Sequence, residues 1–144
     1  MPSRLNASIR LGCYPLIIDP IVCKKRLTKV LMDEGSGLNI LVILGAQAYP
    51  LEYIDLPVTF GSRANFHSEV LTFEVVDFLG SYHAILGRPC YARFVAIPNY
   101  TYLKLKMLGP NNVIIVSSAF SHTFECDHEH YELATTIVNS SKLL

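Results

Sequence analysis

Asp33 ends the apolar run Val30-Leu31-Met32 and is followed by Glu34, Gly35 and Ser36. A glycine two residues after a strand-end carboxylate lets the chain turn tightly beneath it. Two carboxylates brought to about 3 Å cannot both ionise, so they share one proton. Such a pair supplies both halves of amide hydrolysis: a base that activates water and an acid that protonates the leaving nitrogen. Its protons titrate as a property of the pair. The chain offers one Asp-x-Gly-Ser only. Asp55, Asp77 and Asp127 are followed by Leu-Pro, Phe-Leu and His-Glu. A second carboxylate must therefore come from a second chain, which makes a symmetric homodimer the expected active form. The plainer reading is a turn-capping aspartate, since Asp-x-Gly is common in turns.

Cys126, His128 and His130 alternate within five residues and are the local metal-ligand candidates. Three ligands without a fourth make a weak zinc signal, and no metal is expected. Tyr100 and Tyr102 alternate with Thr101 and Leu103 as on an outward-facing strand. The basic groove that an aromatic platform for nucleic acid requires is missing. His67 and His83 stand alone and are expected to be surface or hydrogen-bonded histidines.

The 144 residues carry 12 Lys plus Arg and 12 Asp plus Glu, so the net charge is zero and no nucleic-acid partner is expected. Apolar residues make up 51% and charged residues 17%, which excludes a disordered chain. That balance also predicts poor solubility unless a partner covers some surface. The longest apolar run, from Ile40 to Ala46, is too short to span a membrane. Pro15 and Asp19 interrupt the N-terminal apolar stretch, so no signal peptide is expected. Cys13, Cys23, Cys90 and Cys126 contain no Cys-x-x-Cys pair and read as reduced thiols of an intracellular, cytoplasmic protein. The Asn-x-Ser/Thr triplets at Asn6, Asn99 and Asn139 then carry no meaning.

The elements that must position Asp33 read as short strands. Strands are expected over 14–22, 26–32, 40–44, 53–60, 69–78, 84–87, 100–107 and 113–116, the last two as a hairpin across Gly109-Pro110-Asn111-Asn112. Pro57 requires a free edge or a bulge. Pro89 suits the first turn of a short helix over 89–94. The expected class is all-β, barrel-like or sandwich-like, with a loose arm over 1–13, one domain over 14–118 and a weakly structured tail over 119–144.

Asp33-Glu34-Gly35-Ser36 together with Ile85-Leu86-Gly87-Arg88 before a helix resembles the half-site of retropepsin-like aspartic proteases. The closer similarity is to the protease-like domain of plant Ty3/Gypsy-type retrotransposon polyproteins. It rests on Leu27-Thr28-Lys29-Val30-Leu31-Met32-Asp33 and Gly35-Ser36-Gly37-Leu38-Asn39-Ile40-Leu41. Ile54-Asp55-Leu56-Pro57-Val58-Thr59-Phe60-Gly61, Tyr82-His83-Ala84-Ile85-Leu86-Gly87-Arg88-Pro89 and the stretch from Pro98 to Met107 add to it. The resemblance spans roughly residues 14 to 135. It implies a closed acid-protease barrel with one short helix, and a dyad built from Asp33 of two subunits that binds the lytic water. Gly35 and Ser36 shape the loop, with Ser36 available to the outer carboxylate oxygen. It also implies an extended peptide or polyprotein substrate held by strand addition, and no cofactor. Ile85, Leu86, Gly87 and Arg88 are structural support: Gly87 lets a backbone pass closely, and Arg88 either pairs with a carboxylate or is solvated.

Two departures lower the expected activity. Glu34 replaces the residue whose hydroxyl bonds across the dimer. Its carboxylate must protonate or move if it faces the twofold axis, or it swings out to solvent. The segment from Asn39 to Leu51 is short, as if a flap had been deleted, which removes water exclusion and substrate clamping. Weak or absent catalysis follows. The alternative is a non-enzymatic β-barrel dimerisation or interaction module left from a degenerate retroelement.

Overall fold

The computed structural model describes residues 15–43, 52–77 and 80–118. The expected arm over 1–13, the tail over 119–144 and the segment where a flap would lie, 44–51, fall outside these residues. So do Cys13, Phe78, Cys126, His128 and His130.

The described chain is mostly β with one short helix. Strands β1 (Leu16–Ile18), β2 (Ile21–Val22), β3 (Lys25–Arg26), β4 (Val30–Met32), β5 (Asn39–Val42), β6 (Glu52–Gly61), β7 (Phe66–Val76) and β8 (Ala84–Leu86) form one sheet. Their order is β1-β4-β8-β5-β7-β6-β2-β3, and the sheet curls into a half-barrel. Helix α1 (Arg88–Phe94) follows β8. β9 (Ile97–Asn99), β10 (Lys104–Leu108) and β11 (Val113–Ser117) form a second sheet in the order β11-β10-β9.

The long β6–β7 hairpin pairs antiparallel from Glu52↔Val75 to Gly61↔Phe66. Its alternation puts Val58, Phe60, Leu71 and Phe73 inward, while Tyr53 and Val70 stay exposed. Gly61 has φ +112°, and a Cβ there would lie 2.3 Å from the Asn65 carbonyl oxygen, so only glycine closes this turn. The Pro57 carbonyl accepts the Cys23 N–H at 2.9 Å, on the side of β6 where pairing with β2 stops after Val58. The nitrogen of Pro57 faces that same side, where the β2 pairing ends, so Pro57 sits at the end of a ladder rather than on a free edge. Phe94 of α1 meets Phe60 edge-on at 4.9 Å and His67 at 4.8 Å, seating the helix inside the curl.

Three segments expected as single strands are divided. The 14–22 stretch breaks into β1 and β2 at Asp19-Pro20, where Pro20 has no N–H to give. The 26–32 stretch breaks into β3 and β4, and Arg26 turns back to donate to the Asp19 carbonyl at 2.8 Å. The 100–107 stretch is a turn followed by β10: Asn99 Oδ1 accepts the Tyr102 N–H at 3.0 Å, and Leu103 adopts φ 54°. Alternation persisted in the sequence because Leu103, Leu105 and Met107 all reach the core. The hairpin itself is present, from Lys104↔Ser117 to Leu108↔Val113.

The C-cap of α1 is Val95, at φ 50° and 71% exposed. A β-branched residue in the left-handed region is strained by about 1–2 kcal/mol, and glycine removes that at an entropic cost of about 0.5–1 kcal/mol. Val95→Gly is therefore expected to stabilise the fold by about 0.5–1 kcal/mol, read as a higher urea midpoint with an unchanged slope.

Candidate functional site

The site is built where β8 enters between β4 and β5. It runs parallel to β4 (Val30↔Ala84 to Met32↔Leu86) and antiparallel to β5 (Ile40↔Ile85, Leu41↔Ala84). Apolar, buried Ala84, Ile85 and Leu86 suit a strand covered on both faces. The Asp33 N–H donates to the Leu86 carbonyl at 2.9 Å, which extends the pairing one residue beyond β4. The chain then turns: the Ser36 N–H donates to the Asp33 carbonyl at 3.0 Å, and the Gly35 N–H donates to Asp33 Oδ1 at 3.0 Å. A Cβ on Gly35 would sit 3.1 Å from that oxygen. The half-buried Asp33 side chain thus lies against its own loop, and Oδ2 makes no hydrogen bond among the described residues.

Gly87 carries the close approach expected of it. A Cβ there would lie 2.4 Å from the Leu38 carbonyl oxygen and 2.5 Å from that of Ser36. The Gly87 N–H donates to Asn39 Oδ1 at 2.9 Å, and Asn39 Nδ2 donates to the Thr72 carbonyl at 3.2 Å. Asn39 is 1% exposed, so its amide is a buried polar group with both ends satisfied. No motif marks Asn39; a lone amide opening an apolar strand was the available signal.

Arg88 is exposed, as the solvated reading expects, and pairs with no carboxylate among the described residues. Its N–H donates to the Ser36 carbonyl at 2.8 Å and its guanidinium Nη1 to the Gly35 carbonyl at 3.3 Å. Ser36 does not reach the Asp33 carboxylate: its hydroxyl donates to the Leu38 carbonyl at 2.7 Å and accepts the Leu38 N–H at 3.3 Å. Asp33, Glu34, Gly35, Ser36, Gly87 and Arg88 therefore converge on one loop, with Ile85 and Leu86 in the strand behind it.

Glu34 is exposed, and its Oε1 accepts the Tyr100 hydroxyl at 3.3 Å. The Tyr100 and Tyr91 hydroxyls lie 3.5 Å apart. Tyr100 is thus a half-buried turn residue rather than part of an outward strand face. Burial is the main cause that raises the phenols of Tyr91 and Tyr100 above their ordinary range, and the Glu34 carboxylate adds to it in both. Burial also pushes the Cys90 thiol, one turn into α1, up to about 12.

Among the described residues the free thiols are the exposed Cys23 and the buried Cys90. No described group of three His, Cys, Asp or Glu could hold a metal ion, and the Cys126, His128 and His130 candidates lie outside the described residues. His67 is hydrogen-bonded: its Nε2 lies 2.6 Å from Glu69 Oε2 and its Nδ1 3.1 Å from the Leu108 carbonyl.

No family model and no curated protein matches the chain. Among solved structures it is similar to the retroviral protease-like domain of Ddi1 from Leishmania major. The identity is 13%, the match covers 72% of this chain and 93% of that one, and the TM-score is 0.49.

Replacing Asn39 by Leu orphans the buried Gly87 N–H, so a loss of about 1–3 kcal/mol is expected in urea unfolding. Gly87→Ala, which meets backbone rather than a mobile side chain, is expected to cost about 1–3 kcal/mol or more.

Cys90 and Tyr91 give an alkaline dependence. Each is buried as its neutral form with a raised folded value, so their contribution is full below the unfolded values of 9.0 and 10.0. It is lost as pH rises, between 9.0 and about 12 for Cys90. The unfolding midpoint is expected to fall from pH 9.0 upward, and Cys90→Ala to delay that onset toward 10.0, where Tyr91 begins to titrate in the unfolded chain.

Proposed function

We propose that this chain is an aspartic-endopeptidase-type domain derived from a retrotransposon polyprotein, with its dyad formed by Asp33 from two copies. The observation that carries the reading is the Asp33 loop. A half-buried carboxylate is held at one oxygen by the Gly35 N–H, on a turn braced by a strand inserted between β4 and β5. The other oxygen is left for water. Of the other described aspartates, Asp19 lies with Arg26 and Asp55 accepts the Thr72 hydroxyl at 2.6 Å. The similarity of the Asp33 and Gly87 strings to retropepsin-like sequences supports the same reading.

In the proposed reaction the ionised Asp33 removes a proton from the bound water as its oxygen attacks the scissile carbonyl carbon. The partner's protonated carboxyl hydrogen-bonds the carbonyl oxygen that gains charge. Collapse of the tetrahedral species breaks the C–N bond and returns a proton to the leaving nitrogen. The substrate would be an extended, apolar stretch of the parent polyprotein, and the compartment an intracellular one. No described helix is long and apolar enough to cross a membrane.

One observation favours the runner-up, a non-enzymatic dimerisation module. Glu34 places an extra carboxylate beside Asp33, where a proton-sharing pair tolerates further negative charge poorly.

The deciding experiment is hydrolysis of an unfolded protein at roughly pH 4–6, where a proton-sharing pair is half-charged, with and without pepstatin, beside sedimentation of the same sample. Weak pepstatin-sensitive cleavage at most is expected, and any that occurs falls by about 10²–10⁴ in Asp33→Asn with dimerisation retained. A folded dimer without cleavage selects the non-enzymatic module. Cleavage that Asp33→Asn leaves intact sinks the dyad.

A further inference from the structure

We propose that Tyr100 is a positioning residue that holds the Glu34 carboxylate within its own chain, beside the loop that carries Asp33. Its importance for catalysis rests on the dyad reading above; the contact itself does not. The sequence left two places for Glu34, inward to a twofold axis or outward to solvent. The structure gives a third, sideways onto a phenol.

The holder is well anchored. Tyr100 sits in the turn between β9 and β10, which is fixed on one side by the Asn99 Oδ1 bond to the Tyr102 N–H. On the other side the turn is fixed by buried Leu103. The Tyr100 ring packs against the main core. Its hydroxyl has one proton, and that proton goes to Glu34 Oε1. The Tyr91–Tyr100 contact must then run the other way, with Tyr91 donating and the Tyr100 oxygen accepting. Tyr91, 9% exposed on α1, thereby orients the Tyr100 hydroxyl toward the carboxylate. The two bonds form a directional chain, helix to turn to loop, in which each polarises the next.

The ion pairs among the described residues join Arg26 to Asp19, and His67 and Arg93 to Glu69. None involves Glu34, so among those residues the tyrosine hydroxyl is its polar partner. A carboxylate drawn to a phenol in the same chain is kept from joining two aspartates that must share one proton. Like charges within about 4–6 Å disfavour ionisation, so this placement is how the loop accommodates a glutamate next to Asp33.

The test reads one chain at neutral pH and does not depend on cleavage. Side-chain couplings of Glu34 by NMR are expected to report a single rotamer in the native protein. In Tyr100→Phe, which keeps the ring and its packing, they are expected to report averaging. Glu34→Ala, which removes an exposed side chain, is expected to move the Tyr100 Cζ resonance. A double-mutant cycle of the two in urea is expected to show a coupling of about three- to tenfold in the unfolding equilibrium. An averaged Glu34 in the native chain overturns the proposal. So does a Tyr100 Cζ resonance blind to Glu34→Ala, or a coupling factor of one. Failure of pepstatin-sensitive cleavage with these signals present would sink the dyad reading and leave the positioning intact.

Discussion

The passage of Gly87 over the Ser36 and Leu38 carbonyls is the contact on which the rest of the site depends. β8 can lie between β4 and β5 only if its end passes within bonding distance of the loop that joins them. A side chain at position 87 would occupy the space those two carbonyl oxygens fill. With glycine there, the adjoining amides become useful. The Gly87 N–H meets Asn39 Oδ1, and the Arg88 N–H meets the Ser36 carbonyl. The loop is thereby tied to the first turn of α1, and Asp33 is presented from a rigid strand end rather than from a free loop. Rigid support of this kind is what a reacting carboxylate needs, because misplacement by about 1 Å costs rate steeply.

Asp33 and Ser36 bond within their own loop, whereas three other polar side chains near it find partners in different elements. Asn39 joins β5 to β7 and to the start of α1, Arg88 joins α1 to the loop, and Tyr100 joins the β9–β10 turn to the loop. Such bonds add little net stability singly but are expensive to break when buried, so they select one arrangement over its near alternatives. The apolar core beneath, with Phe60, Phe73 and Phe94 at its centre, supplies the bulk of the driving force without specifying the loop.

Glu34 shows why a residue type next to a reactive group cannot be read alone. From its neighbours in sequence it adds negative charge to a site that tolerates little. In the fold its oxygen meets a hydroxyl from a residue 66 positions away. The electrostatic consequence depends on direction, and direction is set by the partner.

Much was legible in the residues because it is local. The residue pattern marked β6 and β7 as strands, Pro89 the helix start, and Gly-Pro-Asn-Asn the β10–β11 hairpin. Asp-x-Gly-Ser with Ile-Leu-Gly-Arg marked the two segments that meet. The reading erred where a short polar device outweighed alternation: at Asp19-Pro20, at the Arg26 bond to Asp19, and at Asn99, whose side chain turns the chain before β10 begins. It was silent on Asn39, and it placed Tyr100 on an outward strand face. Sequence alone determined the element types and the loop that carries Asp33, since those follow from side-chain period, glycine and proline. Only the tertiary structure decided that Arg88 holds the Gly35 carbonyl, that Ser36 turns to Leu38, and that Glu34 reaches Tyr100. Each is a choice among partners that strand pairing brings together, and hydrogen bonds, being short and directional, are assigned only after those distances exist.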